Sequence, residues 1–269
     1  MLLTSGCSFV YGDELQGFDT NPPSHWHHTF THRLAEHLGV SYNNHGACGT
    51  GNQKIFRDLM RWFAGETLSW TYKPDGTICT PENTTHMVIL WTAWPRDEIP
   101  CNIRTRAIAS QYPNIIDYDN MTQYSPKRIH TIKYLTEDVK RTINNYYMYH
   151  EDNRKFMIQQ LPYLIALEKM CEANNIKLIQ GSFHNQNWRT LGWSMAHSEG
   201  FKSLNKILSN MLGSLKQTSR VGLGYYQAFN KFCGDPEYPE RQFKPYDHPN
   251  EVAHYDYGDY LYKIFQEDF

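Results

Sequence analysis

No stretch of this 269-residue chain stays apolar for long. The longest plain run, Met87-Val88-Ile89-Leu90-Trp91, is far short of the roughly 20 residues a bilayer helix needs. There is no excess of basic charge. Lys and Arg number 26 against 28 Asp and Glu, a formal net charge of −2, which argues against nucleic acid as the main partner. The six cysteines (Cys7, Cys48, Cys79, Cys101, Cys171, Cys233) contain no C-x-x-C pair, so they read as reduced, separately placed thiols rather than a disulfide frame or a zinc knuckle. The opening residues, Met1 to Cys7, have neither a positive n-region nor a long h-region. A cytoplasmic protein without a signal peptide is the expectation. No Gly-Lys-Ser/Thr follows the glycine-rich stretch at 46–51, which excludes a P-loop there. His25, His27, His28, His32 and His37 cluster without an H-E-x-x-H and with only Glu36 as a nearby carboxylate. They read as a solvated helix surface, and no metal is expected.

What is present is a globular composition, 40% apolar and 20% charged, with an unusual 14% of aromatic residues led by 19 Tyr. Tyr has a polar end, so many of these rings suit grooves and half-buried surfaces, and such grooves suit sugars and flat ligands. Residues 2–5 read as a buried strand meeting a turn at Gly6. Phe30, Leu34 and Leu38 give a helix over 27–38, stopped by Gly39. A short strand is expected near 40–44, then a glycine-rich turn, a helix over 52–64 and a strand over 86–92. A long helix over 155–174, a strand over 176–182 and a last helix over 249–266, opened by Pro249, complete the pattern. Strand–helix alternation predicts an α/β fold: three layers, α/β/α, around a central parallel sheet. A single domain over 1–269 is expected, with an insertion or cap at about 100–150, where no period is visible.

In such sheets ligands bind beyond the carboxyl ends of the strands. The first strand is followed by Gly6-Cys7-Ser8-Phe9-Val10-Tyr11-Gly12, and Val10 excludes the G-x-S-x-G elbow. The second is followed by Asn44-His45-Gly46-Ala47-Cys48-Gly49-Thr50-Gly51, whose glycines let backbone amides approach a ligand. The third leads into Trp91-Thr92-Ala93-Trp94-Pro95-Arg96-Asp97-Glu98, read by default as a local charged turn at its end, and the last helix is preceded by Asp247-His248-Pro249-Asn250. A serine, a glycine turn and a histidine at strand ends are the parts of a nucleophile, an oxyanion donor and a general base. Cys7 is a rival nucleophile by type, but it reads, like Cys48, as a small buried side chain.

These blocks, in this order, resemble the SGNH (GDSL-type) hydrolase superfamily, especially short phage and bacterial forms that open with G-C-S-F-x-Y-G. The resemblance implies that Ser8 is the nucleophile, with Cys7 where the family usually has Asp. It implies that Gly49 lends its N–H, beside that of Ser8, to the oxyanion hole, and that His248 is the base. It implies no cofactor. Two departures stand out. The family's third block, G-x-N-D, is replaced by Trp91-Thr92-Ala93-Trp94, leaving Thr92 or Arg96 as substitute donors. The family's D-x-x-H is also absent, because Pro245 stands three residues before His248. The orienting acid is then the adjacent Asp247, a borrowed carboxylate such as Asp235, or none, leaving a Ser–His dyad. The expected function is a serine esterase or acylhydrolase acting on a small ester or O-acetylated carbohydrate through an acyl-enzyme. The alternative from another class is a catalytically weakened fold of this kind, binding glycan or protein, as in a phage particle. An acyltransferase would share the same first half-reaction.

Overall fold

The structure is a computed structural model. It describes residues 1–12, 15, 24–47, 50–68, 71–91, 97–100, 116–117, 121–124, 141, 153–182 and 249–269. Strand β1 (Leu2–Gly6) leads into a four-residue helix α1 (Ser8–Tyr11). A 3₁₀ turn (His25–His28), helix α2 (Phe30–Leu38), strand β2 (Tyr42–Gly46), helix α3 (Asn52–Phe63) and strand β3 (His86–Trp91) follow. Three short strands come next: β4 (Asp97–Pro100), β5 (Ile116–Asp117) and β6 (Met121–Tyr124). Helix α4 (Asn153–Ala173), strand β7 (Lys177–Ser182) and helix α5 (Glu251–Asp268) complete the described elements.

The main sheet has the order β2-β1-β3-β7 and is parallel throughout. Successive strand residues face opposite sides. On one side Leu3, Met87, Ile89, Trp91 and Leu178 pack with Ile55, Leu59 and Trp62 of α3 and Leu161, Leu164 and Leu167 of α4. On the other, Leu2, Val88, Leu90 and Ile179 pack with Phe30 and Leu34 of α2 and Tyr257, Leu261 and Phe265 of α5. The sheet is therefore covered on both faces, as the strand–helix alternation predicts. Two buried polar side chains pair across the sheet: Trp91 Nε1 donates to Gln180 Oε1 (3.1 Å), whose amide donates to the Leu164 carbonyl (3.0 Å). Cys7, Cys79 and Cys171 are buried single thiols, and burial pushes Cys171 up to about 12.

Several boundaries differ from the sequence reading. Helix α2 begins at Phe30 rather than at 27, because the Thr29 side chain caps it by accepting from His32 N (3.3 Å). The second strand lies at Tyr42–Gly46 rather than near 40–44, since Val40 still donates to the Ala35 carbonyl of the preceding helix (3.1 Å). Pro249 does not open α5; Asn250 is its cap, accepting from Ala253 N (3.0 Å). Asp97 and Glu98 are not a charged turn but part of β4, which pairs antiparallel with β6 in a small sheet of order β4-β6-β5. That sheet gives the 100–150 region some regular structure, and β4 contacts α3. Nor are the histidines uniformly solvated. His25 is fully buried against the Tyr11 carbonyl (3.1 Å), and His37 pairs with Asp259 of α5 (2.6 Å).

The outer strand β2 is flanked by the loop after α3. Asn44 and Tyr72 exchange backbone hydrogen bonds (3.0 and 2.9 Å), and the Asn43 side chain donates to the Thr77 carbonyl (2.8 Å) and accepts from Cys79 N (2.7 Å).

Candidate active site

The connection leaving β1 runs to β2 on one side, while β3 and β7 lie on the other. In a sheet of this order the carboxyl ends of β1 and β3 bound the crevice where ligands sit. Ser8 stands there. Strand β1 ends at Gly6, Cys7 turns in extended conformation as the cap, and Ser8 is the first helical residue. A first-turn amide takes its acceptor from outside its own helix. Ser8 is 4% exposed, and Cys7 is wholly buried among Leu2, Phe9, Val10 and Leu90, which leaves it no access to a substrate.

Two glycines allow α1 to fold back over the strand ends. A Cβ on Gly6 would collide with the Val10 side chain and stand 2.7 Å from the Leu90 carbonyl. One on Gly46 would overlap the Tyr11 nitrogen and come within 2.6 Å of the Val10 carbonyl carbon. Asn44 stitches the same region together. Its amide donates to the Val10 carbonyl (2.6 Å) and to Thr31 Oγ1 (3.3 Å), and its oxygen accepts from Gly46 N (2.8 Å). Beyond Gly46, Ala47 N donates to the Gly6 carbonyl (3.1 Å), while Thr50 N and Oγ1 both donate to the Ala47 carbonyl (3.3 and 2.7 Å). Ala47, the first residue past β2, is thus fastened to the end of β1, two residues before Ser8.

Between β2 and α3 lies a buried ionic group that sequence reading missed. His45 Nε2 donates to Asp58 Oδ2 (3.2 Å), His45 Nδ1 lies 3.1 Å from Thr71 Oγ1, and Lys54 Nζ donates to the same Asp58 oxygen (2.6 Å). Burial pushes the Asp58 carboxyl up, but the His45 hydrogen bond and the Lys54 charge outweigh it and hold it below its ordinary value. The Lys54–Asp58 spacing of four residues on a helix was the one readable signal.

Gly49, Thr92, Arg96, Asp235, Asp247 and His248, with Cys48, lie outside the described residues. The residues that follow His248 are described. Asn250 and His254 are buried at the start of α5, where His254 Nδ1 accepts from Phe30 N (3.1 Å). Helix α5 also contacts the His25–His28 turn, whose His25 meets Tyr11 of α1. Tyr11, Trp26 and Tyr72 form an aromatic group beside α1, with Trp26 stacked on Tyr72 at 4.4 Å between centroids. Among the described residues no cluster of three or more His, Cys, Asp or Glu is arranged to hold a metal ion, and no helix is long and apolar enough to cross a membrane.

No protein-family model and no curated protein matches the chain. Solved structures do. A lipolytic protein of the G-D-S-L family from Desulfitobacterium hafniense DCB-2 aligns over 98% of both chains, at 11% identity and a TM-score of 0.44. An acetyl xylan esterase from the rumen bacterium Butyrivibrio proteoclasticus aligns over 98% of this chain and 63% of its own, at 11% identity and a TM-score of 0.45. A carbohydrate esterase family 2 enzyme with a carbohydrate-binding domain, from Myceliophthora fergusii, aligns over 98% of this chain and 64% of its own, at 13% identity and a TM-score of 0.39.

Proposed function

We propose that the protein is an SGNH-type serine hydrolase that cleaves a small ester or an O-acetylated carbohydrate through an acyl-enzyme. The observation that carries this reading is the position of Ser8: first residue of α1, at the carboxyl end of an inner strand whose last residue, Gly6, accepts a hydrogen bond from Ala47 just past β2. In the proposed reaction Ser8 Oγ attacks the ester carbonyl and His248 takes its proton. The N–H groups of Ser8 and Gly49 hold the oxyanion, with Thr92 or Arg96 in place of the family's third-block Asn. His248 then protonates the departing alcohol and activates the water that frees the acyl group. Asp247 or Asp235 orients the imidazole, or the pair works as a dyad.

The test is active-site labelling. A fluorophosphonate probe is expected to label the wild type at Ser8 and to leave Ser8→Ala unlabelled, and turnover of an aryl acetate is expected to fall by roughly 10³-fold or more in that variant. A wild type that resists the probe would replace this reading with that of a glycan- or protein-binding module, and a Ser8→Ala that labels equally would remove Ser8 as the nucleophile.

A further inference from the structure

Helix α1, which carries Ser8, is a single turn, too short to hold its shape unaided, because a first turn fixes many dihedral angles for few hydrogen bonds. Inside it, Tyr11 N donates to the Cys7 carbonyl and Gly12 N to that of Ser8 (3.0 and 2.9 Å). The carbonyls of its last two residues have no amide donor within the helix. They accept from side chains instead: that of Val10 from Asn44 Nδ2 (2.6 Å), and that of Tyr11 from His25 Nε2 (3.1 Å). A carbonyl oxygen offers only lone pairs, so Nε2 is a nitrogen of this ring that carries hydrogen.

His25 is seated as well as bonded. Its ring is fully buried, 5.1 Å from that of Tyr11 and 4.0 Å from that of Trp26 between centroids. Gly12, which ends α1 with a φ of 83°, lies so near that a Cβ there would stand 3.2 Å from His25 Cδ2 and 2.7 Å from Thr29 Cγ2. The support behind His25 is fixed in turn. Thr29 N and Oγ1 both donate to the Trp26 carbonyl (3.3 and 2.8 Å), Trp26 stacks on Tyr72, and Tyr72 exchanges backbone hydrogen bonds with Asn44 of β2. The His25–His28 turn thus joins the end of α1 to strand β2. We propose that His25 is a positioning residue: its Nε2–H on the Tyr11 carbonyl, with Gly12 seated against its ring, holds α1 in place and so aims Ser8. The aim of Ser8 at an ester rests on the esterase reading; the hold on α1 does not. A shift of about 1 Å in a positioned group can lower a rate by about 100-fold.

Hydrogen exchange and labelling on the full chain test the two halves. His25→Phe keeps a buried ring and removes the donor. It is expected to speed exchange of the Tyr11 and Gly12 amides about 10-fold or more while the amides of α3 stay as in the wild type. A folded His25→Phe with unchanged exchange in α1 overturns the proposal whether or not the protein is an enzyme. For Ser8, fluorophosphonate labelling and aryl acetate kcat are expected to fall about 10- to 100-fold in His25→Phe with KM nearly unchanged. Both are expected to return to within about threefold of wild type in His25→Gln, whose amide can reach the same carbonyl. Trp62→Phe is the comparison. It takes a ring N–H from another main-chain carbonyl, that of Cys79 (2.8 Å), on the opposite face of the sheet from α1, and is expected to label like wild type even if its Tm falls as far. If His25→Phe does not fold, Gly12→Ala, which wedges α1 off the same seat, takes its place in both measurements. A folded His25→Phe that labels within about twofold of wild type, a His25→Gln no better than His25→Phe, or a Trp62→Phe that loses as much labelling overturns the positioning role and leaves the esterase reading intact. A wild type that does not label overturns the esterase reading and with it the aim of Ser8, and the exchange result then decides the hold on α1 alone.

Discussion

At Gly46 the backbone of α1 passes so close that a single methyl group has nowhere to go. The neighbouring atoms are main chain, not the ends of flexible side chains, so relief requires moving α1 and Ser8 with it. Gly46→Ala is expected to destabilise the fold by about 1–3 kcal/mol, read as a fall in Tm, and to slow Ser8 labelling in the fraction that remains folded. An unchanged Tm would show that α1 can lift off β2. The place of Ser8 after a strand end was legible in the sequence, because a short strand running into a glycine and a small residue marks a strand end without further information. The His45–Asp58 pair was not. Its members are 13 residues apart, and only the packing of α3 against the sheet brings them to 3.2 Å.

Helices α2 and α5 depend on each other at their ends. The Phe30 amide belongs to the first turn of α2, where no intrahelical acceptor exists, and His254 of α5 supplies one across 224 residues of chain. Further along, Asp259 of α5 accepts from Arg33 and His37 of α2 (2.8 and 2.6 Å). His254→Leu keeps the volume but orphans a buried donor, and is expected to lower stability by about 1–3 kcal/mol in chemical denaturation. A loss under 0.5 kcal/mol would mean that the donor finds another acceptor. Element boundaries show where sequence periodicity stops being informative. Apolar spacing places the body of α2 and of α5, but Thr29 and Asn250 set their first residues through side-chain caps, which periodicity does not register. Strand β4 carries two carboxylates and a proline in four residues and has no alternation to read; its pairing with β6 alone defines it.

Over the whole molecule, acid is expected to act in two windows. Burial, with Lys177 and the amino-terminal ammonium nearby, brings His86 down to about 4 from an ordinary 6.5. The unfolded chain therefore binds this proton first, so the contribution of neutral His86 is complete above about pH 6.5 and is lost as the pH falls toward 4. Asp58 and Asp259 act lower. Burial raises both, but the hydrogen bonds and charges of His45 and Lys54, and of Arg33 and His37, outweigh it and hold both carboxyls below 3.8. Their contribution is present above that value and disappears as the pH drops through the folded-state values. Denaturation midpoints measured from pH 7.5 down to 3 are expected to start falling near pH 6.5 and to go on falling below it, and His86→Gln is expected to flatten the upper part of that fall while leaving the lower part in place. A variant with the wild-type slope between pH 6.5 and 4 would remove His86 from the account.

The backbone exchange between Asn44 and Tyr72 has one more effect. A border strand with open amide and carbonyl groups is a template on which another polypeptide can assemble, and it is where ordered fibres begin. Here that template is occupied from within, at the middle of β2, by a loop that belongs to the same chain. A chain crowded with β-prone aromatic residues is in this way denied a nucleus for fibre growth on this side of the molecule, and crowding or prolonged storage should not readily extend the sheet past β2.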